Sequence, residues 1–513
     1  MRLDEKVIGE IQWEKSLDNV IADTKTDFIL APYFGAIFQR SRKELIQKLK
    51  AGLKSGTYAP GLPITATVPK PGLLTRPGSI LKPLDRLFYQ GLIDHILPTI
   101  EESFDRERSF SHVPGSESGQ LFEPSHDSWN RFQQAISDIC AGSEFVLRAD
   151  IASYFQSIPQ HSLINSLDSD GCQSESIRAL EEILAAFTER RSSGIIQGIY
   201  PSDVLGNYYL TAFDARLAMR GYKSARYVDD IFIGFDTELE GRRFMVEAEA
   251  RLRSEGLEFN PIKTVLLPSS EMIREEKAVD GLFDEARNEV STAIGFLTEG
   301  GYGFQGDWVS DEDIEGAEET EHDLIAVRAL LNYKGETSSF DEKIDRFCLP
   351  LLRGARDPAG IDRCFEGLKL RPHLTRLYLS YLTFFTKSDD EVRKQVEALI
   401  RANGFFIDYQ RMYHVAGVLG CRTVEQSTVG AVRRWMSNPA ISVETRALCA
   451  IFCAKFGNGA VKAEVKDLYS TASETLRYAV LYSAKFYPRG ERLAMRKAWG
   501  SHDDVCSLIA NAK

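Results

Sequence analysis

"ARYVDDIFIGF", residues 225–235, sets two adjacent carboxylates, Asp229 and Asp230, between two runs of aromatic and β-branched residues. Runs of that composition read as strands, and the acids between them read as the turn of a hairpin. Such a hairpin thrusts two like charges past the end of a sheet, where repulsion and desolvation raise their free energy unless cations neutralise them. Standing alone, the pair is an ordinary solvated turn. What else the chain brings to that sheet end decides its meaning.

A third acid is supplied by "FVLRADIASYFQSI", residues 145–158, in which an apolar strand from Phe145 runs into Asp150 before a helical pattern starts. Two-metal phosphoryl transfer needs oxygen ligands placed like these, so that one ion activates an attacking hydroxyl and another stabilises the leaving pyrophosphate. Asp150 and Asp229 fit as bridging ligands, Asp230 completes the set, and Mg2+ is the expected cation. In "QGIYPSDVLGNYYL", from Gln197, a glycine lets backbone approach a ligand, and a proline then opens a helix of small and aromatic residues. "GLEFNPIKT" carries Lys263, a candidate proton donor to the leaving group. Taken singly, Gly198 is turn chemistry and Lys263 a surface residue.

With 513 residues, 43% hydrophobic and 10% aromatic, the chain fills more than one core and suggests two or three domains. No apolar run reaches membrane-spanning length, and the start "MRLDEKVIGEIQWEK" lacks the apolar region of a secretory signal. The expected place is therefore the cytoplasm. The eight cysteines are scattered and read as reduced core residues. A formal charge of -12 argues against a surface made to coat long duplexes, so any nucleic-acid contact is concentrated locally.

Periodicity splits the chain into an α+β part up to residue 305 and an all-α part from 324, separated by the acidic stretch 306–323, which reads as a solvated linker. In the second part "VETRALCAIFCAKF" at 443 aligns with "SETLRYAVLYSAKF" at 473, an offset that suggests stacked helical hairpins, HEAT-like, with an ordinary helical bundle as the alternative.

The order of the motifs carries a resemblance. D-x-x-x-Y-F, then Q-G-x-x-x-S, then Y-V-D-D, then G-x-x-x-N-x-x-K-T resembles the palm of reverse transcriptases, over roughly residues 60–300. Upstream, "VPKPGLLTRPGSILKPLDRLFYQ" resembles the fingers segment of group II intron and retron relatives; its basic cluster is Lys70, Arg76, Lys82 and Arg86. Within the series, phosphate contact is the reading for Lys70 and Arg76. The resemblance implies that the Phe155 ring closes against a ribose 2′-hydroxyl and so selects deoxynucleotides, and that Gln197 and Gly198 border the incoming nucleotide. Ser202-Asp203 departs from the Ser-Pro of many members, and "AIGFLTEGGYGF" matches a primer grip only loosely.

A reverse-transcriptase fingers and palm followed by a large helical-repeat region, with no maturase, integrase or nuclease motif, is similar to the abortive-infection reverse transcriptases of bacterial phage defence. That family implies untemplated synthesis of single-stranded DNA from deoxynucleoside triphosphates. It further implies priming by a tyrosine hydroxyl of the enzyme itself, a product left covalently attached, and a homo-oligomer, trimer or hexamer. Tyr33 is the favoured primer, because the amphipathic "RSRKELIQKLK" after it could anchor a mobile loop; Tyr58, Tyr378 and Tyr409 are alternatives. Two readings compete. One is a templated RNA-directed DNA polymerase of retron or group II intron type with a partner RNA; the other is an inactive palm kept as a binding scaffold.

Overall fold

The computed structural model describes residues 1–115, 121–276 and 338–512, with 324, 327, 328, 330 and 331 between them. The expected acidic linker 306–323 and the loose primer-grip match lie outside the described residues. By contact the chain forms two compact units, one of Met1–Gly91 with Pro358–Lys513 and the other of Leu92–Asp357. The first ninety residues thus group with the helical region, where the sequence reading had joined them to the palm.

The unit Leu92–Asp357 is built on a four-stranded antiparallel sheet in the order β4-β5-β3-β6, with β3 Phe145–Asp150, β4 Ser224–Tyr227, β5 Asp230–Phe235 and β6 Val265–Pro268. Register runs from Phe145↔Phe235 to Asp150↔Asp230 between β3 and β5, and from Ser224↔Ile233 to Tyr227↔Asp230 between β4 and β5. Phe232 and Phe235 are an odd number of positions apart and so point to opposite faces. Phe132, from helix Ser125–Ala141, packs on Phe232 and Tyr227, while Phe244, from helix Glu238–Ser254, packs on Phe235. Both faces are therefore covered, which is why β5 is a continuous apolar run after Asp230 and β3 is apolar but for Arg148 before it meets Asp150. The acids stand at the one sheet end where the apolar pattern stops.

In the other unit β1 Ile64–Pro69 and β2 Thr75–Ile80 form an antiparallel hairpin, closed by a turn in which Gly72 has φ 72°. Its remaining elements are helices. Asp390–Ala402 shows why they form: Asp389 caps it by accepting from the Glu391 and Val392 amides, and Asn403 ends it with φ 52°. Val392, Val396 and Ile400, four apart, bury one stripe, and each such burial contributes about 1.5–3 kcal/mol. From Ile361 onward nearly every helix packs on its successor, Asp408–Leu419 against Gln426–Ser437 being the exception, and most pack on the next but one as well, giving stacked hairpins. The aligned segments at 443 and 473 fall on helices Val443–Phe456 and Glu474–Tyr482, which pack together across Gly459–Thr471. The early helices join this stack: Ser41 Oγ donates to Leu508 O (3.0 Å), and Arg376 donates to Thr26 O (2.8 Å) and Lys25 O (2.7 Å).

All eight cysteines are buried and none forms a disulfide, as a reduced core requires. Among the described residues no helix is long and apolar enough to cross a membrane.

Candidate active site

The pairing Tyr227↔Asp230 leaves a two-residue loop, Val228-Asp229, between β4 and β5. Loops of that length match the twist of a hairpin by adopting positive φ, which glycine or asparagine accepts readily. Here the residue is Val228, at φ 55°. A β-branched side chain in that region is strained by roughly 1–3 kcal/mol and persists only where its surroundings impose it. Asp229 is half-buried and Asp230 exposed, while Asp150, directly across the ladder from Asp230, is buried. Cross-strand partners share a face, and like charges so placed repel. Register therefore sets Asp150 opposite Asp230, two of the three carboxylates that the sequence leads one to expect together.

Two residues of the segment after helix Glu238–Ser254 hold Asp150. Asn260 donates from Nδ2 to Asp150 Oδ2 (2.9 Å) and from its amide to the Asp150 carbonyl (2.7 Å), and Lys263 Nζ donates to Asp150 Oδ1 (2.8 Å). Burial pulls the Lys263 ammonium down, but the hydrogen bond to Asp150 and the charges of Asp150, Asp230 and Asp229 outweigh it and hold the group above its ordinary range. One ammonium thus feels all three carboxylates. Lys263 is seated as a counter-ion to Asp150; to protonate a leaving group, as its sequence position suggested, it must first release that carboxylate. Asn260 had no role in the sequence reading, although it is the Asn of N-x-x-K-T.

Among the described residues no three carboxylate, imidazole or thiol groups stand close enough to hold a metal ion between them. Lys263 and Asn260 occupy both oxygens of Asp150. The donor set nevertheless fits a hard divalent cation, being all carboxylate oxygen at one end of the sheet. An ion held there would supply the charge compensation that Lys263 provides in this structure.

Around this end lie the expected nucleotide residues of the same unit. Phe155, in helix Tyr154–Ser157, is 5% exposed, and its ring leans on helix Tyr200–Tyr209, where a Cβ added at Gly206 would come within 2.9 Å of Cε1. Gly198 has φ 85°, a conformation that favours glycine, and Gln197 before it is half-buried. The departing residues Ser202 and Asp203 are buried in the first turns of that helix, with His112 Nε2 at 3.9 Å from Asp203. His112 is pushed down to about 3 by burial and by the Arg106 and Arg226 charges, so it stands neutral there.

Lys70 and Arg76 belong to the β1–β2 hairpin of the other unit. Lys70 is exposed, and the Arg76 guanidinium lies 4.7 Å from the Phe28 ring centroid. The rest of the basic cluster needs correction. Arg86 is 1% exposed and bonded to Asp23 (2.5 Å) and Asp27 (3.0 Å), and Lys82 pairs with Glu474 (2.5 Å). Arg86 is therefore an interior ion-pair residue with no face toward a triphosphate.

Tyr33 also departs from expectation. It sits in helix Pro32–Arg40, fully buried, with its ring 4.7 Å from that of Phe34 and 6.4 Å from that of Tyr478. Burial, with the Glu444 charge, pushes its hydroxyl above the usual range. A locked, desolvated phenol is the opposite of the adjustable nucleophile that priming requires. The alternatives are buried as well: Tyr58 donates to Asp85 (2.7 Å), Tyr378 accepts from Arg371 (2.7 Å), and Tyr409 is 4% exposed.

Residues 68–279 match the family model described as reverse transcriptase (RNA-dependent DNA polymerase). No curated protein matches the chain. Similar solved structures include a telomerase from Candida albicans in complex with a TWJ fragment of telomeric RNA, at 10% identity and a TM-score of 0.32, covering 71% of this chain and 66% of that one. An apo telomerase from Candida tropicalis aligns at 11% identity and a TM-score of 0.32, covering 83% of this chain and 69% of that one. Likeness at that score carries no argument about function. The matched domain, which spans every motif from the fingers hairpin to Lys263, makes the chain a nucleotidyltransferase of the DNA-polymerase class, and polymerases of this class use divalent metal ions.

Proposed function

We propose that the chain polymerises deoxynucleotides at the sheet end formed by Asp150, Asp229 and Asp230, without a template and from a primer hydroxyl of the protein itself. The observation that carries the site is the register Asp150↔Asp230, with Asp229 one residue away on a strained turn and Lys263 in the field of all three. Two Mg2+ ions on these carboxylates would supply the lowered pKa of the attacking hydroxyl and the neutralisation of pyrophosphate. The hydroxyl oxygen bonds to the α-phosphorus, the α–β anhydride breaks, and pyrophosphate leaves. The chain's own part is geometric. Asp150 is fixed by Asn260, the backbone at Gly198 leaves room for the nucleotide, and the Phe155 ring crowds the sugar's 2′ position.

The untemplated reading is supported by the net charge of -12 and by the stacked helices that follow the palm where a duplex-gripping thumb is expected. With it go the role in phage defence within a bacterial cytoplasm, the homo-oligomer and the covalent product. The four tyrosines weighed for priming are buried, so the reading requires another tyrosine or an opening of one of those helices.

The test is direct. Purified protein, pretreated with RNase and given each deoxynucleoside triphosphate with Mg2+ but neither template nor primer, should extend DNA of unconstrained sequence. Mass spectrometry after nuclease trimming should then find a nucleotide on one tyrosine. Loss of synthesis after RNase, with products copied from a bound RNA, would establish the templated polymerase in its place. DNA with a free 5′ end and no protein adduct would remove protein priming.

A further inference from the structure

Arg226 precedes the catalytic hairpin turn by two residues and is 1% exposed, a costly place for a charge unless every donor is met. Every donor is. Nε bonds both Asp214 oxygens (3.0 Å each), Nη1 bonds Asn207 Oδ1 (2.7 Å) and the Val228 carbonyl (2.9 Å), and Nη2 bonds Ser109 Oγ (3.1 Å), Asp214 Oδ2 (2.5 Å) and the Asn207 carbonyl (3.3 Å). Ser111 completes the ring. Its Oγ donates to Asn207 Oδ1 (3.1 Å) and accepts from the Val228 amide (3.0 Å). Asp214, Asn207, Ser109 and Ser111 are each no more than 2% exposed. The segment carrying both serines lies beside β4 through a parallel bridge, Ser109↔Arg226.

Both polar backbone atoms of Val228, the residue at φ 55°, are thus gripped: its amide by Ser111 and its carbonyl by Arg226. Strain of this kind is kept only by surroundings that over-determine it, and these two bonds are the means. Asn207 belongs to helix Tyr200–Tyr209, which follows Gly198, so the network also ties the turn to the helix that borders the incoming nucleotide. A buried ion pair is a poor stabiliser compared with an apolar replacement, which points to geometry as its use.

We propose that Arg226 and Ser111, braced by Asn207, Asp214 and Ser109, are positioning residues that clamp the strained Val228 turn and so fix Asp229 against Asp150 and Asp230. The inference rests on the assignment of those aspartates as metal ligands. In the clamped chain, Asp229 is delivered in one orientation; unclamped, Val228 relaxes to negative φ and the carboxylate swings.

The test uses Ser111→Ala, which touches no charge, and Arg226→Lys, which keeps a charge beside Asp214 but cannot span the four partners. Hydrogen–deuterium exchange on metal-free protein should quicken at least tenfold in residues 224–232 and stay unchanged in β3. Mn2+ binding, read by electron paramagnetic resonance with the metal alone, should weaken by about 10–100-fold, as for other supports of metal ligands. Nucleotide incorporation should fall through kcat, with KM little changed. If Arg226→Lys does not fold, Ser111→Ala alone decides. A folded Ser111→Ala whose turn exchanges and binds Mn2+ like the parent overturns the clamp. Asp229→Asn separates the two ideas: should that variant bind Mn2+ and incorporate nucleotides normally, the metal reading fails; should it lose both while Ser111→Ala loses neither, only the clamp fails.

Discussion

Asp229 and Phe155 make opposite demands on the chain, one as a charge and the other as a shape. Asp229→Asn preserves the volume and removes a charge that two cations need, so incorporation of labelled deoxynucleotides should drop by orders of magnitude. The melting temperature should hold or rise, because repulsion within the carboxylate group falls. Retention of near-normal incorporation would show that the metal lies elsewhere. Phe155→Ala asks about shape. If the ring is the sugar gate, the variant gains ribonucleotide use relative to deoxynucleotide use; if the ring only fills the core against Gly206, stability falls by about 3–5 kcal/mol and the preference stays. A competition assay with both sugars, beside a melt, separates the outcomes. The aspartates were legible in the sequence because they interrupt strand patterns. Asn260 and Arg226 were not, since their meaning lies in partners far along the chain: Asp150 for the one, Ser109 and Ser111 for the other. The available signal was a charge inside an otherwise buried strand, beside the turn.

Elements were read best where composition or a single apolar stripe marks them. The strands of the palm announce themselves by composition, and helices such as Asp390–Ala402 by a single apolar stripe. What a helix's second face touches is not written in its period. Tyr33 and Arg86 were misjudged for that reason, as their helices are enclosed by neighbours distant in sequence, and Tyr478 packs on Tyr33. Helix Asp408–Leu419 offers a quantitative check on such enclosure. His414 is 1% exposed, its Nδ1 donates to the Gln410 carbonyl (2.7 Å), and burial pushes it down from 6.5 to about 4. A depressed folded-state value means that the stabilisation is complete above the unfolded value and is lost as pH falls toward the folded one. From pH 6.5 to 5 this group should therefore cost the fold on the order of 2 kcal/mol. His414→Leu cannot take up that proton. Denaturant unfolding at several pH values should show the variant's deficit against wild type shrinking as the solution is acidified, and parallel curves would mean that His414 is solvated and charged in the fold.

At the scale of the molecule, the sequence gives a contiguous partition, palm and fingers first, helices after, because composition changes only along the chain. Contact obeys no such order. Met1–Gly91 is compact with Pro358–Lys513, through the Ser41–Leu508 bond, the two Arg376 bonds to Lys25 and Thr26, the Tyr413 hydroxyl on the Phe28 carbonyl and the ion pair of Lys48 with Asp504. Arg376 donates to two backbone carbonyls at once, one part-buried and one exposed, and bonds of this kind contribute about 0.5–1.5 kcal/mol each. Removing the whole partner surface therefore unfolds what it covered. A chain ending at residue 305, the boundary that periodicity suggests, should lack ordered fingers: protease should cut it within residues 1–91 far faster than it cuts the full chain. It should also lose nucleotide incorporation, although every carboxylate and motif residue is still present. Co-expression of residues 358–513 as a separate chain should restore protection within 1–91, since the covering surface is regained without the covalent link. Should the truncated chain resist protease and incorporate nucleotides as the full chain does, the fingers fold independently and the helical stack has some other task.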